Sequence, residues 1–222
     1  MTGYPSAREI QAPPSLLDHF LARKDPPPFQ YRALRHLDAR NEHFGVAGWM
    51  DAWTDVDQSG GFRYEIAAEG GSGYIRSHVL RAALDGERKI WMSGESGKAA
   101  LNRDNYEFTP LGLAADSPSL AALGVTPRRK DVLLVNGSIF VKPDDADLVR
   151  VEGKLSKTPS FWTRRVEVVR NYERINGVRV PIAIESVAQV LIAGRSTFKM
   201  TYEYEAINGE HVGNPQPRSA HP

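Results

Sequence analysis

Gly70-Gly71-Ser72-Gly73 is the first stretch of this chain whose residue types and spacing suggest chemistry. Glycines ahead of a helix expose backbone N–H groups that can hold a phosphate. The run matches neither G-x-G-x-x-G nor the P-loop, which needs Lys followed by Ser or Thr. It therefore reads as a flexible strand-to-helix connector, or as a hinge beneath a moving helix. His19, His36, His43, His78, His211 and His221 are scattered, and no H-x-x-x-H or H-E-x-x-H pair puts two imidazoles on one helical face. Asp144-Asp145-Ala146-Asp147 lacks the spaced ligands, central glycine and terminal Glu of an EF-hand, and reads as a solvated turn. Ser96, Ser160 and Ser186 have no G-x-S-x-G elbow around them. Glu107 and Asp51 remain as acids near aromatics that could serve as a general base, the weakest of the functional readings. The expectation is no catalytic residue, no metal site and no cofactor.

Arg164, Arg165, Arg170, Arg174 and Arg179, interleaved with Trp162 and Tyr172, form the basic part of the chain. Nucleic-acid readers combine aromatics and Arg in this way. Against that, the formal net charge over 222 residues is only +1, and nucleic acid or an anionic membrane selects a concentrated basic surface. Charges laddered across strands against Glu167, Glu173 and Glu185 are the simpler account, so no nucleic-acid partner is expected. Cysteine is absent, which excludes disulfides, thiolate metal sites and a cysteine nucleophile. No apolar run approaches the ~18 residues of a membrane span, and Met1 to Pro14 shows no signal-peptide pattern.

The elements that must position any site are mostly strands. Residues 1–14 read as a loose arm, 15–209 as one domain and 210–222 as a disordered tail. Ser15 caps a short helix over 15–25, which Pro26-Pro27-Pro28 ends. Over 29–41 Tyr31, Leu34 and Leu37 also suit a helix, but a strand is favoured because strands follow over 49–56 and 62–66 and a meander would pair all three. The glycine run then breaks the sheet. Ile75, Val79, Ala83, Leu84, Ile90 and Trp91 recur at helical spacing, which predicts the main amphipathic helix over 74–92, with Gly86 marking a bend. Residues 93–104 read as a polar loop. Tyr106-Glu107-Phe108 reads as a short strand and the stretch to Pro127 as loop with one helical turn. Val132–Val135 and Ser138–Val141 flank Asn136-Gly137, a strong hairpin signal. Strands follow over 148–155 and 162–174.

The last two strands are the most legible. Val178, Val180, Ile182, Ile184, Val190 and Ile192 share one face of a run that would span roughly 50 Å. Phe198, Met200, Tyr202 and Tyr204 alternate strictly with Thr197, Lys199, Thr201, Glu203 and Glu205. Strands so long must coil. The expected fold is thus α+β: a curved antiparallel sheet with helices over its concave face. That apolar face is wide for two helices, which favours a cavity for an apolar ligand over a plain core. Its expected lining is Phe62, Tyr64, Ile182, Ile184, Phe198, Met200 and Tyr202, with Leu80, Leu84 and Trp91 from the helix.

In element order the chain resembles the LolA/LolB-like outer-membrane lipoprotein-sorting superfamily. The resemblance covers residues 15–209, and the stretch from Pro159-Ser160-Phe161-Trp162 through Thr201-Tyr202-Glu203-Tyr204 looks like the C-terminal half of such envelope proteins. It implies an incomplete β-barrel closed by helices that carries or senses acyl chains or lipidated proteins in the periplasm. In the chaperone of that family an Arg near the cavity helps gate the lid. Arg32 and Arg35 lie in the corresponding strand, and the role is assigned to neither. The lipobox cysteine of the anchored receptor is lacking.

The leading expectation is a non-enzymatic carrier or sensor of a hydrophobic ligand in the periplasm or cell envelope. Its partners would be a hydrophobic small molecule or acyl chain and another envelope protein. The alternatives are a cytoplasmic location and a protein-interaction module that docks a partner through its sheet edge or Arg-rich hairpin.

Overall fold

The structure is a computed structural model that describes residues 15–159 and 163–218, the side chain of Ser96 excepted. Trp162 and Ser160, the arm over 1–14 and His221 lie outside the described residues. Among the described residues eleven strands form one antiparallel sheet. They are β1 Tyr31–Asn41, β2 Val46–Asp57, β3 Gly61–Gly71, β4 Tyr106–Leu113, β5 Ala121–Pro127, β6 Val135–Val141, β7 Leu148–Leu155, β8 Thr163–Ile175, β9 Val178–Val190, β10 Gly194–Ile207 and β11 Glu210–His211. Their spatial order is β3-β2-β1-β10-β9-β8-β7-β6-β5-β4, with β11 on β10. β3 and β4 are the two outer strands and do not pair with each other, so the curved sheet is a half-barrel rather than a closed one.

That order makes the β3–β4 connection the one that must travel from edge to edge. It does so as a helical segment, α2 Gly73–Ile75, a π-helical turn Arg76–Arg81 and α3 Ala82–Ser93, ending at Gly94 in the left-handed conformation. The wide turn sits at 76–81, ahead of Gly86, where the sequence suggested a bend. This segment is the lid. Beneath it Leu80 and Leu84 pack on Leu37, Met50, Phe62 and Met200 from the strands. A second cluster lies under α1 Leu16–Ala22, where Phe20 meets Leu123, Ile139 and Leu148. Ser15 and Asp18 close a capping box on α1.

Several expectations are corrected. The Asn136-Gly137 pair is no hairpin turn, because β6 runs through it. Gly137 lies opposite Gly153 on β7, and a Cβ on Gly137 would stand 2.6 Å from the Gly153 Cα. The glycines permit a close approach of two paired strands, while the reversal before β6 occurs at Asp131, whose carboxylate accepts from the Leu133 N–H. The stretch to Pro127 is not loop: β4 runs to Leu113 and pairs with β5. Gly70 and Gly71 complete β3 instead of breaking it. The chain beyond Gly209 is not a disordered tail over 210–218, since β11 pairs with β10 and Val212 N–H donates to the Glu205 carbonyl.

Candidate functional site

β1 alternates, and Ala33, Arg35, Leu37 and Ala39 face the lid. Arg35 is 0% exposed in the middle of this apolar row. Such a charge is tolerable only when paired and fully hydrogen-bonded. Its Nε donates to Thr54 Oγ1 at 3.1 Å and its Nη2 to the Tyr31 hydroxyl at 2.7 Å. Both terminal nitrogens donate to Glu87 on α3, Nη2 to Oε1 at 2.9 Å. The guanidinium also lies over the Phe62 ring at 5.0 Å and the Tyr202 ring at 4.6 Å. Burial opposes its charge, but Tyr202, Tyr31 and Glu87 outweigh that and raise its pKa. Burial likewise pushes the Tyr31 hydroxyl up to about 12.

The lid has two further polar tethers. Tyr64 donates to Asp85 at 2.9 Å, and Glu69 on β3 accepts from Arg76 at 2.8 Å and Arg81 at 2.9 Å. These hold the lid by its margin, whereas the Arg35–Glu87 contact holds it from below.

Two openings flank the lid. At its C-terminal end a cleft of about 340 Å³ lies between Pro27, Tyr31, Glu87, Trp91, Tyr172 and Tyr202. At its N-terminal end a more apolar cavity of about 460 Å³ lies between Phe44, Val46, Tyr74, Ile75, Val79 and Val190. Both volumes fall within the range of small-molecule sites.

No family model matches the chain, and no curated protein matches it in sequence. Among solved structures it is similar to a putative outer membrane lipoprotein-sorting protein domain from Vibrio parahaemolyticus, at 9% identity and TM-score 0.42 over 86% of this chain and 91% of that one. It is similar to a LolA superfamily protein from Nitrosomonas europaea, at 10% identity and TM-score 0.41 over 89% and 93%. A DUF1329 family protein from Desulfovibrio piger follows, at 10% identity and TM-score 0.39 over 79% and 84%.

Nine of the residues read from the sequence as cavity lining come together between the lid and the sheet. Phe62, Leu80, Leu84, Met200 and Tyr202 are buried in one cluster, and Tyr64, Trp91, Ile184 and Phe198 pack against it. Ile182 is half-buried outside that cluster. A bulge accounts for it: Asn171 pairs with Ala183 and Tyr172 with Pro181, which leaves Ile182 without a partner on β8.

The carboxylates considered for catalysis are engaged elsewhere. Asp51 points to the convex face, where it contacts His36 Nδ1 at 2.9 Å and accepts from Arg218 Nε at 2.7 Å. Glu107 is exposed and pairs with Arg128 at 3.3 Å. The Asp144–Asp147 turn is not simply solvated. Asp147 is buried and, with Asp25, receives Arg174, while Arg179 also reaches Asp25 at 3.0 Å. The arginines of the β8–β9 hairpin are thus partly consumed in joining the proline segment to the sheet. Among the described residues no group of three His, Asp or Glu side chains could hold a metal ion, and no helix is long and apolar enough to cross a membrane.

Sequence reasoning missed Glu87, Thr54 and Tyr31 as a set. The available signal was Arg35 itself, a charge at an apolar position of an alternating strand, which calls for a buried partner. It missed the 460 Å³ cavity as well, because its walls come from two turns and a helix start distant in sequence.

Proposed function

We propose that this protein is a non-enzymatic carrier or sensor of a hydrophobic ligand, an acyl lipid or a lipidated protein, acting in the bacterial cell envelope. The observation that supports the reading best is the apolar concave face under a helix fastened from below by one ion pair, Arg35–Glu87. Breaking that contact together with the marginal tethers of Tyr64 and Glu69 frees the lid to lift Leu80 and Leu84 from the sheet. Apolar ligand surface then replaces lid surface, worth about 0.8 kcal/mol per methylene withdrawn from water. The ligand would lie along Phe62, Tyr64, Ile184, Phe198, Met200 and Tyr202, between the two openings.

Native mass spectrometry of protein purified from a bacterial host, followed by organic extraction, tests this reading. A co-purifying acyl lipid is the expected result. A clean ligand-free mass, with no uptake of a fluorescent fatty acid, refutes it.

One observation favours a second reading, a module that docks another protein by its sheet edge. On the outer strand β4, Leu111 and Leu113 stand exposed, and an open apolar edge is a template for strand addition. Under that reading Leu111→Lys abolishes partner binding and leaves fatty-acid uptake absent in both proteins.

A further inference from the structure

One row of side chains crosses the concave face from strand to strand, each residue paired with the next across the sheet. From β1 it runs Leu37, Met200, Ile184, then Arg170 on β8, then Val151, Ile139 and Leu123. The six apolar members belong to the clusters under the lid and under α1, and Ile184 packs against both. Arg170 therefore stands half-buried at the seam of the two clusters, the single charge in an apolar row.

A charge in such a place calls for a carboxylate beside it. Arg35 has Glu87, and Arg174 has Asp147 and Asp25. Among the described residues Arg170 has neither an ion pair nor a hydrogen bond, and its Nε is shut off from water without an acceptor. Arg76 also buries its Nε without an acceptor, but its Nη1 holds Glu69 at 2.8 Å. The carboxylates expected to ladder against Arg170 lie on the other side of the sheet. Glu167 and Glu173 alternate with it along β8, and Glu185 pairs with Lys199 at 3.1 Å. Leucine or methionine would continue the row without burying a charge. A guanidinium has donors and no acceptor, so its missing partner is an acceptor supplied from outside the chain.

The surroundings suit such a partner. Tyr172, two residues along the same face of β8, and Tyr202 are walls of the 340 Å³ cleft at the end of the lid. Burial raises the pKa of the Tyr202 and Tyr106 hydroxyls, and the charge of Arg170 acts on both in the opposite sense. The guanidinium thus lies beside the cleft, among phenols rather than carboxylates.

We propose that Arg170 receives the anionic head of an amphiphile, a carboxylate or a phosphate, whose acyl chain runs from it across the strands beneath the lid. Arginine suits both heads, because its planar fork can donate two parallel hydrogen bonds to either. Ile184, Met200 and Leu37 are the next three members of the row. Three strand spacings give the chain roughly 14 Å of apolar path. The inference rests on the carrier reading and narrows its ligand to an acidic lipid.

The test measures the affinities of palmitic acid, its methyl ester and palmitoyl lysophosphatidic acid by displacement of a fluorescent fatty-acid methyl ester. Wild type is compared with Arg170→Leu, and thermal stability is followed alongside. Wild type should bind at least one of the two acids about tenfold more tightly than the ester, the lower end of what hydrogen bonds to a charged group contribute. The acid preferred, carboxylate or phosphate, identifies the source of the head. Arg170→Leu should bind all three alike, at the wild-type affinity for the ester, and melt at an equal or higher temperature. Equal binding of both acids and the ester by wild type overturns the role of Arg170 and leaves the carrier reading standing. A preference for the acids that survives in Arg170→Leu overturns it too, by placing the head elsewhere. Binding of no ligand and no probe by wild type refutes the carrier reading and the inference with it.

Discussion

Arg35 on β1 and Glu87 on α3 meet in a two-pronged ion pair beneath the lid, and the arginine has no exposed side-chain surface. An apolar pair of similar volume would hold the helix at least as firmly, because desolvation offsets much of the Coulombic gain of a buried pair. What the ion pair adds is an all-or-none contact. Once separated, Arg35 faces a low-dielectric wall and Glu87 faces water.

Glu87→Ala removes the counter-charge and leaves Arg35 buried. Since Glu87 is itself partly exposed, the cost should fall at the lower end of the usual range, about 3 kcal/mol. Hydrogen exchange should show the amides of 82–93 opening well before those of β1 and β10. Protection unchanged on α3 would show that the pair is not the latch. The double variant Arg35→Leu, Glu87→Leu should regain most of the stability and slow ligand uptake.

Gly137 and Gly153 face each other where the paired strands β6 and β7 approach closely. Gly137→Ala would force two backbones apart and should cost about 2 kcal/mol, as overpacking does. Gly86, in contrast, has open space where a Cβ would stand. Gly86→Ala should stabilise α3 by about 0.5–1 kcal/mol. Denaturant midpoints of the two variants moving in the same direction would contradict this account.

Acid should loosen the proline segment. Burial pushes the Asp25 and Asp147 carboxyls up, but hydrogen bonds from Arg23 and Arg174 and the charge of Arg179 hold Asp25 below its ordinary value of 3.8. The hydrogen bond and charge of Arg174, with the charge of Arg23, hold Asp147 below it as well. Carboxyls depressed in the folded state contribute stability that is fully present above that value and lost as pH falls through the folded one. Stability measured from pH 5 downward should therefore decline, and Asp147→Asn should flatten the decline. An identical acid profile in the variant would remove Asp147 from the explanation.

Arg218 closes the chain onto the convex face. Its guanidinium donates to Asp51 at 2.7 Å and Asp38 at 3.0 Å and lies over the Trp49 ring at 4.8 Å. Asp51 is fully buried, so Arg218→Ala should cost about 2 kcal/mol through a half-satisfied carboxylate. The companion Asp51→Asn should make the Arg218 substitution nearly neutral. Additive losses in that cycle would mean that the two groups do not act on each other.

The alternation of β2 and β10 and the helical spacing over 75–91 were legible because each depends on a short period in one segment; β1 was less so, since Tyr31, Leu34 and Leu37 also suit a helix. That sufficed for a curved antiparallel sheet under a helix and for nine residues of the apolar layer between them, six on the sheet and three on the helical segment. Ile182 broke the pattern through a bulge that only the pairing with β8 reveals. Asn136-Gly137 misled because a dipeptide with strong turn preference was overridden by the Gly137–Gly153 pairing, a contact between strands. Composition and period alone determined the class of fold and the apolar side of each element. Tertiary structure decided which charges are buried and with whom: Arg35 with Glu87, Asp147 with Arg174, Asp51 with Arg218. The physical reason is that the cost of a charge depends on the partners and dielectric around it, and those are set by residues far away in the chain.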